Sequence, residues 1–246
     1  SVYHPQGRDA SALLDAAQSQ VMAVGEGARR GQSDFETADR IVAEVTEFVD
    51  GQHARYQAGH ANEVTGVPTG FIDLDRWTTG LQPGELILLA ARPAMGKSAL
   101  SLNIASQAAR ATGRWAQMFS LEMPSRSLGL RLLAAGARVN VQRLVTGRIY
   151  DEEWPRVADA AGSLRSVKLA FRFAPGLTIT ELRAAARRGA REFGKPCLIV
   201  LDYLQLMLGG ETESNRATQL ADISRGLKLL AGEMDAPVMA LSQLNR

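Results

Sequence analysis

Gly96-Lys97-Ser98 follow an apolar run, Glu85-Leu86-Ile87-Leu88-Leu89-Ala90, through the link Ala91-Arg92-Pro93-Ala94-Met95. Residues of these types in this order form a phosphate-binding loop. Gly96 allows a tight turn that aims backbone N–H groups inward, Lys97 sets a cation against β- and γ-phosphates, and Ser98 offers a hydroxyl to Mg²⁺. The mechanism needs a strand before the loop and a helix after it, here over about 98–111, whose positive N-terminal end strengthens the anion site. Arg92, Pro93, Ala94, Met95, Gly96, Lys97, Ser98 and Ala99 are the candidate nucleotide-binding residues. The general pattern G-x-x-x-x-G-K-[ST] asks for glycine where this chain has Ala91, so the match falls one residue short. The alternative is a Gly-Lys-Ser turn that merely joins two core elements.

Three further polar residues stand at or beside the ends of apolar runs. Leu198-Ile199-Val200-Leu201 delivers Asp202, the form of a Walker-B acid that holds Mg²⁺, often through water. A strand followed by an ordinary turn aspartate would look the same. Met118-Phe119-Ser120-Leu121 leads to Glu122, which Pro124 and a following helix would fix; a carboxylate there can orient and deprotonate an attacking water. Its plainer reading is a helix-start acid favoured by the dipole. Val238-Met239-Ala240-Leu241-Ser242 ends in Gln243, an amide suited to sensing a γ-phosphate and passing its state to adjoining loops.

The elements that position these residues alternate. Strands are expected over 85–90, 115–121, 167–173, 197–201 and 237–242. Helices are expected from Ser98, over about 125–161, over 180–193 with Thr178 and Glu181 as a capping box, and over about 217–233. Such alternation predicts an α/β domain, a mostly parallel sheet covered by helices on both faces. Ligands bind such sheets outside the carboxyl ends of the strands, where all the candidates fall. A polar stretch, 209–215, reads as a candidate functional loop.

Upstream, 9–25 carries Leu13, Ala17, Val21 and Val24 at helical spacing with Asp9 as a candidate N-cap. A second helix ends before Gly59. Its start at Ser33 has capping-box spacing to Glu36, and Phe35, Ala38, Ile41, Val42, Val45, Phe48 and Val49 form one stripe. Either helix could pack on its own domain or, for the first, dock on a neighbouring subunit. The domain boundary is placed near Ala61, giving 1–60 and 61–246.

Composition sets bounds without choosing a partner. The chain has 246 residues, 46% hydrophobic and 22% charged, with a net charge of +2, so any nucleic-acid surface must be local. Its single cysteine, Cys197, excludes an internal disulfide and fits a reducing compartment and the core. His4, His53 and His60 have no metal-ligand spacing. Neither a membrane span nor a signal peptide is visible, so a cytoplasmic protein is expected. Beginning at Ser1 and stopping just after a strand-like run, the chain reads as a piece of a longer protein.

Taken together, four segments closely resemble the bacterial replicative DNA helicases of the DnaB type, in the family's order. They are Ala90 to Ser98, Phe119-Ser120-Leu121-Glu122-Met123-Pro124, Asp202-Tyr203-Leu204-Gln205-Leu206-Met207 and Ala240-Leu241-Ser242-Gln243-Leu244-Asn245-Arg246. The likeness extends through Val64 to Gly70, Gly80-Leu81-Gln82-Pro83-Gly84, Ser214-Asn215-Arg216 and Ile223-Ser224-Arg225. That family tolerates alanine at the position of Ala91.

The resemblance implies a RecA-like P-loop NTPase that assembles as a homohexamer around single-stranded DNA. Such a ring hydrolyses ATP with Mg²⁺ between subunits and moves 5′ to 3′, with primase and a helicase loader as partners. It implies Lys97 and Ser98 on phosphate and Mg²⁺, Glu122 as catalytic base, Asp202 as the second Mg²⁺ residue, and Gln243 as the coupling glutamine. Asn215 and Arg216 fall in the region that lines the channel and are the candidate DNA contacts, by phosphate rather than base; they could equally be a solvated helix start. The helix near Asp9 resembles the linker helix that packs on the adjacent protomer. The family's N-terminal domain and its trans-acting arginine finger fall outside this chain, and Arg172 and Phe173 stand where relatives usually carry two acids. The rivals are a RecA-type recombinase or clock-like ATPase, and a non-catalytic nucleotide-binding loader or adaptor.

Overall fold

In the computed structural model, residues 36–59, 64–207 and 216–244 are described, with the side chain of Arg216 excepted. The chain divides into two compact units, 1–61 and 62–246. In the first, helix α1 (Ala38–Gln57) has Thr37 at its N-cap position in an extended conformation, without a capping bond from its side chain, and Asp39 in its first turn. The helix therefore starts after Glu36, which is not the third residue of the helix as the expected capping box requires. Ser33, Phe35 and the expected helix over 9–25 lie outside the described residues. The stripe of Ile41, Val42, Val45, Phe48 and Val49 is exposed within this unit.

The second unit is built on five parallel strands: β1 (Leu86–Ala91), β2 (Ala116–Ser120), β3 (Leu169–Phe173), β4 (Leu198–Asp202) and β5 (Val238–Gln243), in the order β1-β5-β4-β2-β3. β4 lies at the centre, and all five of its residues are buried, which is why it reads as an unbroken apolar run rather than an alternating one. Its side chains divide by parity. Leu198 and Val200 join one core with Leu102 and Ile104 of α3 (Lys97–Thr112) and Leu128 and Leu132 of α4 (Ser125–Ala137). Ile199 and Leu201 join the other with Leu182 of α7 (Ile179–Phe193) and Ile223, Leu227 and Leu230 of α8 (Arg216–Met234). Truncating a fully buried leucine such as Leu227 to alanine would cost about 2–5 kcal/mol.

The helices α7 and α8 approach closely at Gly226, where an added Cβ would lie 2.3 Å from Cγ1 of Ile179. Arg183 and Arg187 both pair with Glu233 across the same contact. The expected helical stretch over 125–161 resolves into α4, α5 (Val141–Thr146) and α6 (Trp154–Arg165), with Asn140 capping α5. Buried Glu153, just before α6, ties α5 to the turn that leads into α6, accepting from Arg143 at 2.7 Å and from the Tyr150 N–H at 3.2 Å. Ahead of β1, the short α2 (Ile72–Thr78) is fixed by Asp75, whose carboxylate accepts from the N–H and hydroxyl of buried Thr69.

Arg172 and Phe173 end β3, a sheet-edge strand, and both are exposed. Neither belongs to the hydrophobic cores formed by the described residues, and a charge on an open edge discourages pairing with another chain.

Candidate functional site

β1 delivers the chain to the phosphate loop. Ala91 is the last strand residue, its Cα registered with Gln243 of β5, and it accepts at its carbonyl from the Leu244 N–H at 3.1 Å. A position in extended pairing has no use for glycine's left-handed freedom, so the missing first glycine leaves the loop geometry intact. The turn itself is made further on. Ala94 stands at φ 61° and Gly96 at φ 83°, the latter capping α3, whose Leu100 N–H donates to the Gly96 carbonyl at 2.9 Å. Arg92 to Gly96 are exposed, while Lys97, Ser98 and Ala99 are half-buried.

Asp202 ends β4 with its side chain fully buried, and neither carboxylate oxygen has a hydrogen-bond partner. Burial pushes its carboxyl above the ordinary carboxylate range, while the Ser98 hydroxyl, Lys97 and Arg131 pull the other way without cancelling it. An orphaned buried acid beside a loop serine is costly on its own and fits a hydrated divalent cation shared between Ser98 and Asp202. Among the described residues, no group of three or more His, Cys, Asp or Glu could hold a metal, so the ion's other ligands would be phosphates and water.

Glu122 lies two residues beyond β2, not on the strand, in the turn before α4. The Leu121 N–H donates to the Asp202 carbonyl at 2.7 Å, and the Met123 N–H to the Ser120 hydroxyl at 3.0 Å. Pro124 then caps α4 in an extended conformation. The carboxylate is exposed, as a group that must reach water requires.

Of the expected site residues, Arg92 to Ala99, Glu122 and Gln243, but not Asp202, line one cavity of about 610 Å³ together with Met123, Arg131 and Tyr203. It opens at the C-terminal ends of the strands, at the place such folds bind ligands. Sequence reasoning missed three of its members, Met123, Tyr203 and Arg131. Tyr203 places its ring 4.8 Å from the Lys97 ammonium, a cation–π distance. Arg131 arrives from the face of α4, and its spacing from Glu122 carries no motif. A larger groove of about 920 Å³, lined by residues of α3, α4 and α6, contains none of the candidate site residues. Arg216 heads α8 and Asn215 lies outside the described residues, so neither is brought to the cavity by anything described.

A phosphate loop at the end of a parallel strand, with one acid ending the central strand and another just beyond its neighbour, defines a P-loop NTPase of the RecA-like class. Residues 66–246 match the family described as DnaB-like helicase C terminal domain, and the chain belongs to that family. It is 40% identical over 246 residues to the replicative DNA helicase DnaB of Haemophilus influenzae, covering 99% of this chain and 52% of that protein. To DnaB of Geobacillus stearothermophilus it is 40% identical, covering 95% and 50%. Its fold is similar to a solved structure of an ATPase domain, with TM-score 0.78, 30% identity and coverage of 87% of this chain and 73% of that one. It is similar too to a DnaB-like replicative helicase studied for its interactions with primase, with TM-score 0.74, 29% identity and coverage of 93% and 54%. The chain spans about half the length of the curated relatives it matches.

Proposed function

We propose that this chain is the motor part of a replicative DNA helicase, hydrolysing ATP to drive 5′ to 3′ movement along single-stranded DNA as a homohexamer. The observation that carries the reading is the convergence of Lys97, Ser98, Glu122 and Gln243 on one cavity at the carboxyl end of the sheet, with Asp202 buried at the end of the central strand. Backbone N–H groups of the loop and the Lys97 ammonium bind and orient the phosphates, and the α3 N-terminus adds positive potential. Bound Mg²⁺, held through Ser98 and Asp202, would supply charge neutralisation on the β- and γ-oxygens. Glu122 takes the proton of the attacking water, Arg131 raises the positive potential of the pocket, and Gln243 faces the γ-phosphate end. A neighbouring subunit's arginine completes the site.

Residues 1–60 act as linker helices and 61–246 as the ATPase domain. Asn215 and Arg216 meet DNA phosphates, primase and a loader are the protein partners, and the cytoplasm is the compartment; no helix among the described residues is long and apolar enough to cross a membrane. The test is the ATPase rate of the full-length protein with and without single-stranded DNA, beside Lys97→Ala. Stimulation by DNA that the variant loses is the expected result. Nucleotide binding with no DNA-dependent turnover would overturn the motor in favour of a nucleotide-binding loader or adaptor.

A further inference from the structure

β4 and β5 separate before their ends. Their registered pairs run from Ile199 with Val238 to Leu201 with Ala240, and β4 stops at Asp202 while β5 continues through Gln243. The last residues of β5 thus have a strand beside them only on the β1 side, where Gln243 registers with Ala91. On the other side a side chain takes the strand's place. Gln205, in the short 3₁₀ turn Leu204–Leu206, accepts at Oε1 from the Gln243 N–H at 3.2 Å and donates from Nε2 to the Gln243 carbonyl at 3.0 Å. The same Nε2 lies 2.9 Å from the Ser242 hydroxyl. A primary amide offers one acceptor and two donors, so it can imitate a peptide group against an open strand.

The turn that carries it is not free to drift. Leu204 and Met207 are buried in the core beneath the sheet, the Leu206 N–H donates to the Tyr203 carbonyl at 3.1 Å, and Tyr203 sits against Lys97. Gln243 is therefore held between the strand that feeds the phosphate loop and a turn that is continuous with the buried acid.

We infer that Gln205 is a positioning residue, its side-chain amide standing in for a β4 residue to fix the backbone from which Gln243 reaches the nucleotide cavity. It touches no nucleotide itself. The placement of Gln243 against a γ-phosphate then depends on the turn after Asp202, which gives the amide a mechanical link to the chain that runs on toward α8. This rests on the reading of Gln243 as a nucleotide-facing residue.

The experiment compares affinities for a non-hydrolysable ATP analogue and for ADP in the full-length protein, in wild type, Gln205→Leu, Gln243→Ala and the double variant. Gln243→Ala should reduce the preference for the triphosphate by roughly tenfold, Gln205→Leu should reduce it about as much, and the double variant should lose no more than either. A residue that only steadied the fold would weaken both nucleotides alike and would add its loss to that of Gln243→Ala; either result overturns the inference. Gln205→Glu keeps the acceptor and loses the donors, so it serves if the leucine variant does not fold. It should give a reduced preference, and an unchanged one overturns the proposal. Full discrimination by Gln243→Ala overturns the reading of the site beneath the inference, whereas a loss there with Gln205→Leu unchanged overturns the inference alone.

Discussion

The Leu121 N–H donates to the Asp202 carbonyl at 2.7 Å, so the turn that carries Glu122 hangs from the end of the central strand. The two acids are thereby held in fixed relation, one buried beside the phosphate loop and one exposed to water. Their burial separates their roles. Glu122→Gln keeps the shape and removes the base, so nucleotide affinity should persist while kcat falls by at least about a hundredfold. Steady-state ATPase measurements beside equilibrium nucleotide binding check this; normal turnover would remove Glu122 from the mechanism.

Asp202 is expected to trade stability for function. Its two buried oxygens lack partners, and burying a neutral amide costs less than burying a carboxylate. In a chelating buffer at neutral pH, Asp202→Asn should melt at a higher temperature than wild type. The same variant should lose Mg²⁺-dependent turnover. A lower melting temperature would mean that the carboxylate is compensated in the folded chain.

Ala91 and Gly96 should respond oppositely to exchange. Ala91 is extended and paired, so Ala91→Gly restores the general motif without improving nucleotide affinity, and costs roughly 0.5–1 kcal/mol of stability from the added freedom of the unfolded chain. Gly96→Ala places a Cβ where nothing lies within 4 Å, so the penalty comes from φ 83° alone, on the order of 1–2 kcal/mol. The loop relieves it by turning its N–H groups away, and phosphate affinity falls. Calorimetric titration with ADP and with ATP analogue, beside denaturant unfolding, separates the two cases.

The parallel sheet was legible because its strands are apolar runs interleaved with helical periods, and because buried strands such as β4 leave no polar positions to confuse the pattern. The loop and both acids were legible as types at spacings. What escaped had no such mark. Tyr203 and Arg131 reach the cavity from a turn and a helix face that only tertiary packing brings there, and Gln205 bonds a backbone some forty residues away in sequence. The start of α1 escaped for another reason: the helix begins at Ala38, with Thr37 at the N-cap position but no capping bond from its side chain, so side-chain capping types do not mark where it starts.

Arg216 is the proposed DNA contact most directly open to a physical test. If its guanidinium meets a phosphate, Arg216→Ala in the full-length protein should weaken binding to single strands of any sequence. It should also flatten the dependence of log affinity on log salt by about one. Fluorescence anisotropy across a salt series measures both. An unchanged slope would return Arg216 to the solvated start of α8.

Helix α7, which packs Leu182 against Ile199 and Leu201 of the central strand, begins with a reciprocal cap. The Thr178 N–H and hydroxyl both donate to the Glu181 carboxylate at 2.9 Å, and the Glu181 N–H donates to the Thr178 hydroxyl at 3.3 Å. Chiefly the Thr178 N–H, and then its hydroxyl, holds the Glu181 carboxyl below its ordinary 4.5. A carboxyl whose pKa is lower in the folded chain than in the unfolded one adds stability above the unfolded value, and that contribution is lost as pH falls through the folded value. Thr178→Ala removes the cap and should cost about 1 kcal/mol at neutral pH. Glu181→Ala should be destabilised relative to wild type above the ordinary value of 4.5, and the difference should narrow steadily once acid protonates the carboxyl in the folded protein. Urea unfolding at stepped pH follows the difference directly. A gap between the two proteins that widened on acidification would show that the carboxylate, despite its place at the helix start, opposes the fold.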